Sequence, residues 1–341
     1  MSYKRFDKED VVVSAESITS PVWSFGATTL TTFFTSSTQT GGTSADYYYN
    51  VFNTASDLSN SRVQFAIAYG DKKGSGSLNF NVNVPGKSPS STVYGQYRNL
   101  VLGDEDADFT FGSQTSETFY VLSVERARYK EKLLPGTLDL VLGISGSGAR
   151  LRLTDDSQVN STIRFNDAGR VYELVSGSQG SVYTTQNANG YSDASGSYGK
   201  LLPDVGVILL NASALDLATG SAGGIQLATN RGANTAALNQ RRLYDAIREG
   251  GSFRIQAEET VSSNFVFVRA RNGEFNYSTN PSLITGSGEI RHNVMIDTPQ
   301  SFITTIGLYN DNNDLLAVAK LSRPLLKDFT KESLVRVKLD Y

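Results

Sequence analysis

One histidine, no cysteine and a few carboxylate pairs set the limits of the chemistry this chain can do. His292, in Glu289-Ile290-Arg291-His292-Asn293-Val294, could serve as the base of a triad, since serines and aspartates are plentiful. A serine nucleophile needs a tight elbow, however, and no Gly-x-Ser-x-Gly places one. The reading adopted is a surface or interface histidine beside an arginine. Without cysteine there are no thiolate nucleophiles, thiolate zinc sites or iron–sulfur clusters, and one histidine leaves a transition metal with mostly carboxylate ligands.

The carboxylates give no better signal. Asp104-Glu105-Asp106-Ala107-Asp108 could gather oxygen around calcium, but an EF-hand loop starting at Asp104 needs glycine where Phe109 stands and glutamate where Thr115 stands. A solvated acidic loop is the simpler reading. Asp155-Asp156 and Glu258-Glu259 are neighbours, which on a strand point to opposite faces and so cannot act together as acid and base. A glycosidase drawing acids from distant positions stays open.

Two glycine motifs are incomplete. Gly86-Lys87-Ser88 resembles the end of a phosphate loop, yet the first glycine position is Asn81, and Pro85 and Pro89 remove amide donors. Ser88-Pro89 reads instead as a helix start. Gly146-Ser147-Gly148 lacks the third glycine of a dinucleotide fingerprint and reads as a hairpin turn. Tyr47-Tyr48-Tyr49 could line a sugar-binding surface, although core or subunit contacts are the commoner use of such rings. Arg241, Arg242 and Arg248 share one helix without a wider basic stripe and read as surface ion-pair partners. Asn160, Asn211 and Asn276 head Asn-x-Ser/Thr sequences, which carry little weight without a secretion signal. No residue is assigned a catalytic, cofactor-binding or metal-binding role, and no cofactor is expected.

The elements that would position these residues follow from patterning. At 341 residues, with 39% apolar residues, 31 glycines and 8 prolines, the chain is expected to be globular and rich in strands and turns. The fold class expected is mainly β with a few short helices, built from antiparallel hairpins and sandwich-like sheets behind an extended N-terminal arm. A net charge of −3 offers no general field for nucleic acid or an anionic bilayer. The first ten residues lack the apolar core of a secretory signal, and no run approaches the roughly 18 apolar residues of a membrane span.

Strands are predicted at 62–69, 78–84, 119–124, 253–257 and 264–271, and a hairpin at 137–142 with 149–153. In 78–84, Leu78, Phe80, Val82 and Val84 alternate with asparagines. Helices are predicted from Ser88-Pro89 to Gly103 and from Thr235 to Arg248, the latter with Leu238, Leu243, Tyr244 and Ile247 apolar. The stretch Ser24–Ser44 is polar, but Trp23, Phe25, Phe33 and Phe34 argue that it docks onto something. In the last third, Phe302, Thr304, Ile306 and Leu308 alternate with Ile303, Thr305, Gly307 and Tyr309, a polar turn follows at Asn310–Asp314, and Leu315–Leu321 returns. The division expected is an arm at 1–20, a β-rich domain with one helix at 21–135, and a second at 136–341 carrying a helix and the C-terminal hairpin, with Pro135-Gly136 at the boundary.

The hairpin Thr305-Ile306-Gly307-Leu308-Tyr309 to Leu315-Leu316-Ala317-Val318-Ala319-Lys320-Leu321 resembles one found in bacteriophage tail fibre and baseplate components. Other stretches are similar to virion structural proteins of contractile-tailed marine and cyanobacterial phages: Tyr94–Leu100, Arg128–Gly136, Gly169–Glu173, Phe275–Pro281 and Arg336–Tyr341. The resemblance runs from about Ser61 to the end and carries no motif with a known reaction. It implies a non-enzymatic part of the tail, most readily the baseplate, assembled in the host cytoplasm. The partners implied are other tail proteins, with self-association also open. The alternatives are a tail-tip receptor or carbohydrate-binding protein and, behind it, a capsule-degrading glycosidase.

Overall fold

The computed structural model describes residues 3–35, 47–77, 80–81, 83, 88–144, 148, 150–183, 197–219, 223–229 and 238–340. The chain begins with β1 (Val11–Pro21), β2 (Thr29–Leu30), β3 (Phe34–Thr35), β4 (Tyr48–Phe52), β5 (Val63–Asp71) and helix α1 (Pro89–Leu102). The middle holds β6 (Phe109–Phe111), β7 (Gln114–Ser116), β8 (Thr118–Val124), β9 (Lys132–Leu133), β10 (Asp139–Gly143), β11 (Arg150–Asp155), β12 (Arg164–Asn166), β13 (Gly169–Ser178) and β14 (Ser181–Val182). Then come β15 (Gly199–Leu202), β16 (Val207–Asn211), α2 (Ala212–Leu215), α3 (Leu238–Gly250), β17 (Phe253–Arg254), β18 (Gln256–Ala270), α4 (Val294–Asp297), β19 (Ser301–Tyr309), β20 (Leu315–Lys327) and β21 (Ser333–Asp340). The fold is mainly β, as the composition leads one to expect.

Two compact units divide the chain differently from the sequence reading. One combines Met1–Ser17 with Thr260–Tyr341, and the other is Ile18–Glu259. Pro135-Gly136 is a turn inside the larger unit, between β9 and β10, with Gly136 at φ 82°. No composition break marks the larger unit as an insertion between two parts of the smaller. The second half of the segment read as an arm, from Val11 on, is strand β1.

The larger unit is built on an antiparallel sheet whose main path runs β2-β17-β10-β11-β13-β15-β16-β8-β5-β4-β3. Its two edge strands are neighbours in the sequence: Leu30 and Phe34 are four residues apart, a reach of at most about 14 Å. The sheet must therefore curl until its edges approach. Alternation then sorts the side chains. Phe65, Ile67 and Tyr69 of β5, Tyr120 and Leu122 of β8, and Ile208 and Leu210 of β16 enter one cluster together with Leu243, Tyr244 and Ile247 of α3. Ala68, Phe119, Val121, Val207 and Leu209, on the intervening positions, enter another with Val93, Tyr94 and Val101 of α1. Strands coated on both faces need apolar residues at consecutive positions, which is why β8 and β16 read as continuous apolar runs.

The region near the two edges is held by Trp23. Its indole N–H donates to the Phe253 carbonyl at 2.9 Å, and its ring lies 4.9 Å from that of Phe253 and 6.0 Å from that of Phe65. Phe33 is also buried, and its carbonyl accepts from the Tyr244 hydroxyl at 2.8 Å. Phe25, by contrast, is 77% exposed, so only part of the aromatic set expected to dock does so. Gly250 lets α3 approach β10, because a Cβ there would lie 1.8 Å from the Val141 carbonyl oxygen.

Helix α1 starts and stops where the sequence indicates, with Ser88 as its N-cap and Gly103 closing it at φ 63°. The hairpin predicted around 143–148 forms as β10 against β11, with Leu140 opposite Leu153 and Leu142 opposite Leu151. The second helix runs two residues past its predicted end at Arg248, to Gly250, while its predicted start at 235 lies outside the described residues. The strand predicted at 253–257 is interrupted after Arg254, and pairing resumes in β18. Phe80, Asn81 and Asn83, the described residues of the strand predicted at 78–84, belong to no strand.

Asp155 is the least comfortable group in this unit. Its pairing with Leu174, a member of the inner cluster, turns it toward the same side as Leu151 and Leu153. It is fully buried, and it accepts from the Gly136 amide at 2.8 Å and the Ser157 amide at 3.4 Å through one oxygen. Its other oxygen has no hydrogen-bond partner among the described residues. Burial pushes its carboxyl above the ordinary range, against the opposing hydrogen bonds. A raised folded-state pKa favours folding below the unfolded value, and that gain is lost as pH rises through the folded value. Asp155→Asn is therefore expected to raise the melting temperature at pH 7 by roughly 2–4 °C, equivalent to about 1 kcal/mol. The gain should shrink as pH falls toward 4, and thermal melts of both proteins across that range check it.

Candidate protein-protein interface

Among the described residues, those singled out in the sequence for their chemistry are brought together nowhere. His292 is exposed, and its ring makes no hydrogen bond or ion pair to a described residue. Asp108 pairs with Lys72 at 2.5 Å, and Asp104 accepts the Asp106 amide at 2.8 Å, so the acidic loop is tied locally. Asp155 and Asp156 do face opposite ways. Asp156 pairs with Arg164 at 2.9 Å, and Glu173 lies 3.6 Å from both Arg164 and Lys200. Glu258 and Glu259 pair with Lys132 and Lys130 respectively. Asp108, Asp156, Glu173, Glu258 and Glu259 are each matched by a cation, while Asp104 and Asp155 accept backbone amides.

The other candidates resolve in the same way. Ser88 of the phosphate-loop-like triplet caps α1, while Gly86 and Lys87 lie outside the described residues. Most of Gly146-Ser147-Gly148 also lies outside them. Tyr49 is 4% exposed whereas Tyr47 and Tyr48 are 38% and 39% exposed, so the three rings form no common platform. Arg241 and Arg248 both pair with Asp245 on α3, as surface partners. Asn211 and Asn276 are buried, the first capping α2 through the Ser213 amide. A hollow of about 470 Å³ is lined by Asp71, Ser75, Thr118 and Ser213, but the Asp71 carboxylate is already taken up by the Lys73 and Ser75 amides and the Ser75 hydroxyl. No group of three or more metal-binding side chains occurs among the described residues.

The smaller unit carries the unusual surface. In it β18 pairs with β21 from Ser263 opposite Asp340 to Ala270 opposite Ser333, and the β19–β20 hairpin supplies a second layer. Its core is thin. Val266, Leu308 and Val337 are buried, with Val268, Ile306, Ala317, Ala319 and Leu339 half-buried around them. Large apolar side chains stand outside: Val13 is 70% exposed, Leu316 67%, Phe302 59% and Leu334 59%. The predicted alternation of β19 holds for Ile306 and Leu308 but fails at Phe302, because a register shift between Ile303 and Thr305 interrupts the pairing with β20.

The turn of this hairpin matches its composition. Asn310 accepts from the amides of Asn312 and Asp314 at 3.0 and 2.8 Å, and Asn313 takes φ 65°. On the outer face of the β18–β21 pair, Arg336 and Lys338 lie over the Phe265 ring at 5.3 and 5.8 Å.

Beside β19 runs an open groove of about 1420 Å³, lined by every residue of that strand and by rings including Tyr3, Phe267, Phe275, Tyr277 and Phe329. Tyr3 meets Tyr309 edge to face at 5.4 Å. Sequence reading missed this groove because its walls come from both ends of the chain; single aromatics spaced over 270–330 give no periodic signal.

One buried cation holds a wall in place. Lys327, at the end of β20, is fully buried, and its ammonium donates to the carbonyls of Asn272 and Asp328, both at 2.9 Å, and to Asn276 Oδ1 at 2.7 Å. It thereby fixes the loop that presents Phe275 and Tyr277. Nothing in the sequence distinguishes it from a surface lysine. Lys327→Met keeps the stem and removes all three donors. The expected cost is about 3 kcal/mol in the smaller unit, read as accelerated proteolysis or hydrogen exchange at 272–278, with β5, β8 and β16 unchanged.

In comparisons with known proteins, no family model, no curated protein and no solved structure matches the chain.

Proposed function

We propose that this chain is a non-enzymatic structural component of a bacteriophage tail, in the baseplate, whose work is to make permanent contacts with neighbouring subunits in the virion. The observation that carries the reading is the smaller unit's imbalance between a thin core and apolar strand surfaces left open, at Val11, Val12 and Val13 of β1, Phe302 of β19, and Leu315, Leu316 and Val318 of β20. Free monomers guard such surfaces with charge, proline or a covering element. A subunit bound for life by its neighbours has them covered instead.

Two further points support it. The hairpin whose wording resembles phage tail proteins is the same β19–β20 element that carries much of the exposed apolar surface. The acids that might have formed a hydrolytic pair are engaged with cations or backbone amides. The carbohydrate-binding alternative loses its first basis, because Tyr47, Tyr48 and Tyr49 do not share a face. Rings in the groove of the smaller unit are where a glycan would have to bind.

Quantitative mass spectrometry of purified particles of the phage encoding this chain tests the proposal. The chain is expected at a fixed copy number relative to the tail proteins. Its absence from particles, or its recovery as a free protein that turns over polysaccharide, would overturn the reading.

A further inference from the structure

Lys327 and Asn276 are placed for more than a hydrogen bond. Of the three oxygens around the Lys327 ammonium, Asn276 Oδ1 is the nearest at 2.7 Å, and it belongs to a side-chain amide whose carbon can accept a nucleophile. That carbon lies one bond, about 1.2 Å, beyond the oxygen. Both residues are withdrawn from water: Lys327 is fully buried and Asn276 is 7% exposed. The Asn276 amide nitrogen donates to the Asn272 carbonyl at 2.6 Å, which fixes the plane of the amide. Phe275, just before it, holds a left-handed φ of 57°, a conformation that costs a residue with a side chain energy and that persists where the surroundings enforce it.

The buried charge sets this lysine apart. Its three acceptors are all neutral carbonyl oxygens, and a buried cation bonded only to dipoles keeps part of its desolvation cost. Joining the two side chains takes that charge out of the interior. Groups held in contact also react as if at very high concentration, about 10⁵–10⁸ M in well-oriented cases.

We propose that Lys327 and Asn276 form an intramolecular isopeptide bond. Lys327 Nζ, as the neutral amine, attacks Asn276 Cγ; the Nζ–Cγ bond forms, the Cγ–Nδ2 bond breaks, and Nδ2 leaves. Counted from the ammonium, two Nζ protons depart with the leaving nitrogen, so the products are a secondary amide and an ammonium ion. No oxidant, metal or other reactant is consumed. The two linked residues are 51 positions apart and enclose the β19–β20 hairpin. Cross-linking so long a segment restrains the unfolded chain, which suits a unit whose buried apolar core is Val266, Leu308 and Val337. The bond goes beyond the assembly reading and does not depend on it.

The intact mass of the purified full-length protein tests this directly. It is expected about 17 Da, one ammonia, below the mass of the sequence. Trypsin should then leave 272–291 joined to 321–331, uncut after Lys327. The chain has no cysteine, so a link that survives boiling in detergent is no disulfide. Lys327→Arg, which keeps a charged donor, and Asn276→Ala should each show the full mass of their own sequence and no joined peptide. A wild-type protein at its full sequence mass, with the two peptides separate, overturns the proposal. So does the same mass loss in Lys327→Arg, which marks ring closure to a succinimide at Asn272-Gly273 instead. The wild-type peptides decide the matter even where a variant fails to fold. Either result leaves the particle mass spectrometry to judge the broader reading separately.

Discussion

Three residues join the two edge strands of the larger unit's sheet, and this short tether governs how the chain distributes its unpaired backbone. Because Leu30 and Phe34 cannot separate far, the sheet curls and its edges converge around Trp23, Phe65 and Phe253. Curling also creates an inside, which α3 and the inward residues of β5, β8 and β16 fill, and an outside, which α1 covers. The larger unit thus hides most of what a sheet exposes. In the smaller unit the hairpin leaves β19 with an open side and its apolar residues with little to cover them.

Carboxylates that look suggestive in the sequence serve the geometry of the sheet. Asp156 and Glu173 share Arg164 on one face of adjoining strands, while Asp155 turns inward and holds the Gly136 turn. Arg170 and Asp204 make a bidentate pair at 2.7 to 3.3 Å; burial raises the Asp204 carboxyl, but the hydrogen bonds and charge of Arg170 outweigh that and hold it below the usual range. These are fittings between neighbouring strands. Lys327 does the same work in the smaller unit, trading hydration for three oxygen acceptors.

Local signals carried well from sequence to structure where the physics is local. Ser88, Pro89 and Gly103 delimit α1 because capping needs only neighbouring residues, and Asn310–Asp314 makes the hairpin turn for the same reason. The alternation of β10 and β11 likewise predicts their register. What sequence could not convey depends on long-range closure. The smaller unit draws on both ends of the chain, so no linker marks it, and Pro135-Gly136 looks like a boundary while being an internal turn. The curl follows from a strand order that only the fold reveals. The groove was invisible because Tyr3, Phe275 and Phe329 are far apart in sequence, and Lys327 because a buried lysine looks like any other until its acceptors are placed.

On the proposed function, the smaller unit is left incomplete by the chain alone and is completed by neighbours. Hydrogen exchange read by mass spectrometry, on the purified chain and on the same chain within assembled particles, addresses it most directly. In the free chain, amides of β19 and β20 should exchange at least about tenfold faster than those of β5, β8 and β16, and should slow markedly on assembly. Equal protection of both units in the free chain, unchanged in the particle, would be incompatible with completion by neighbours.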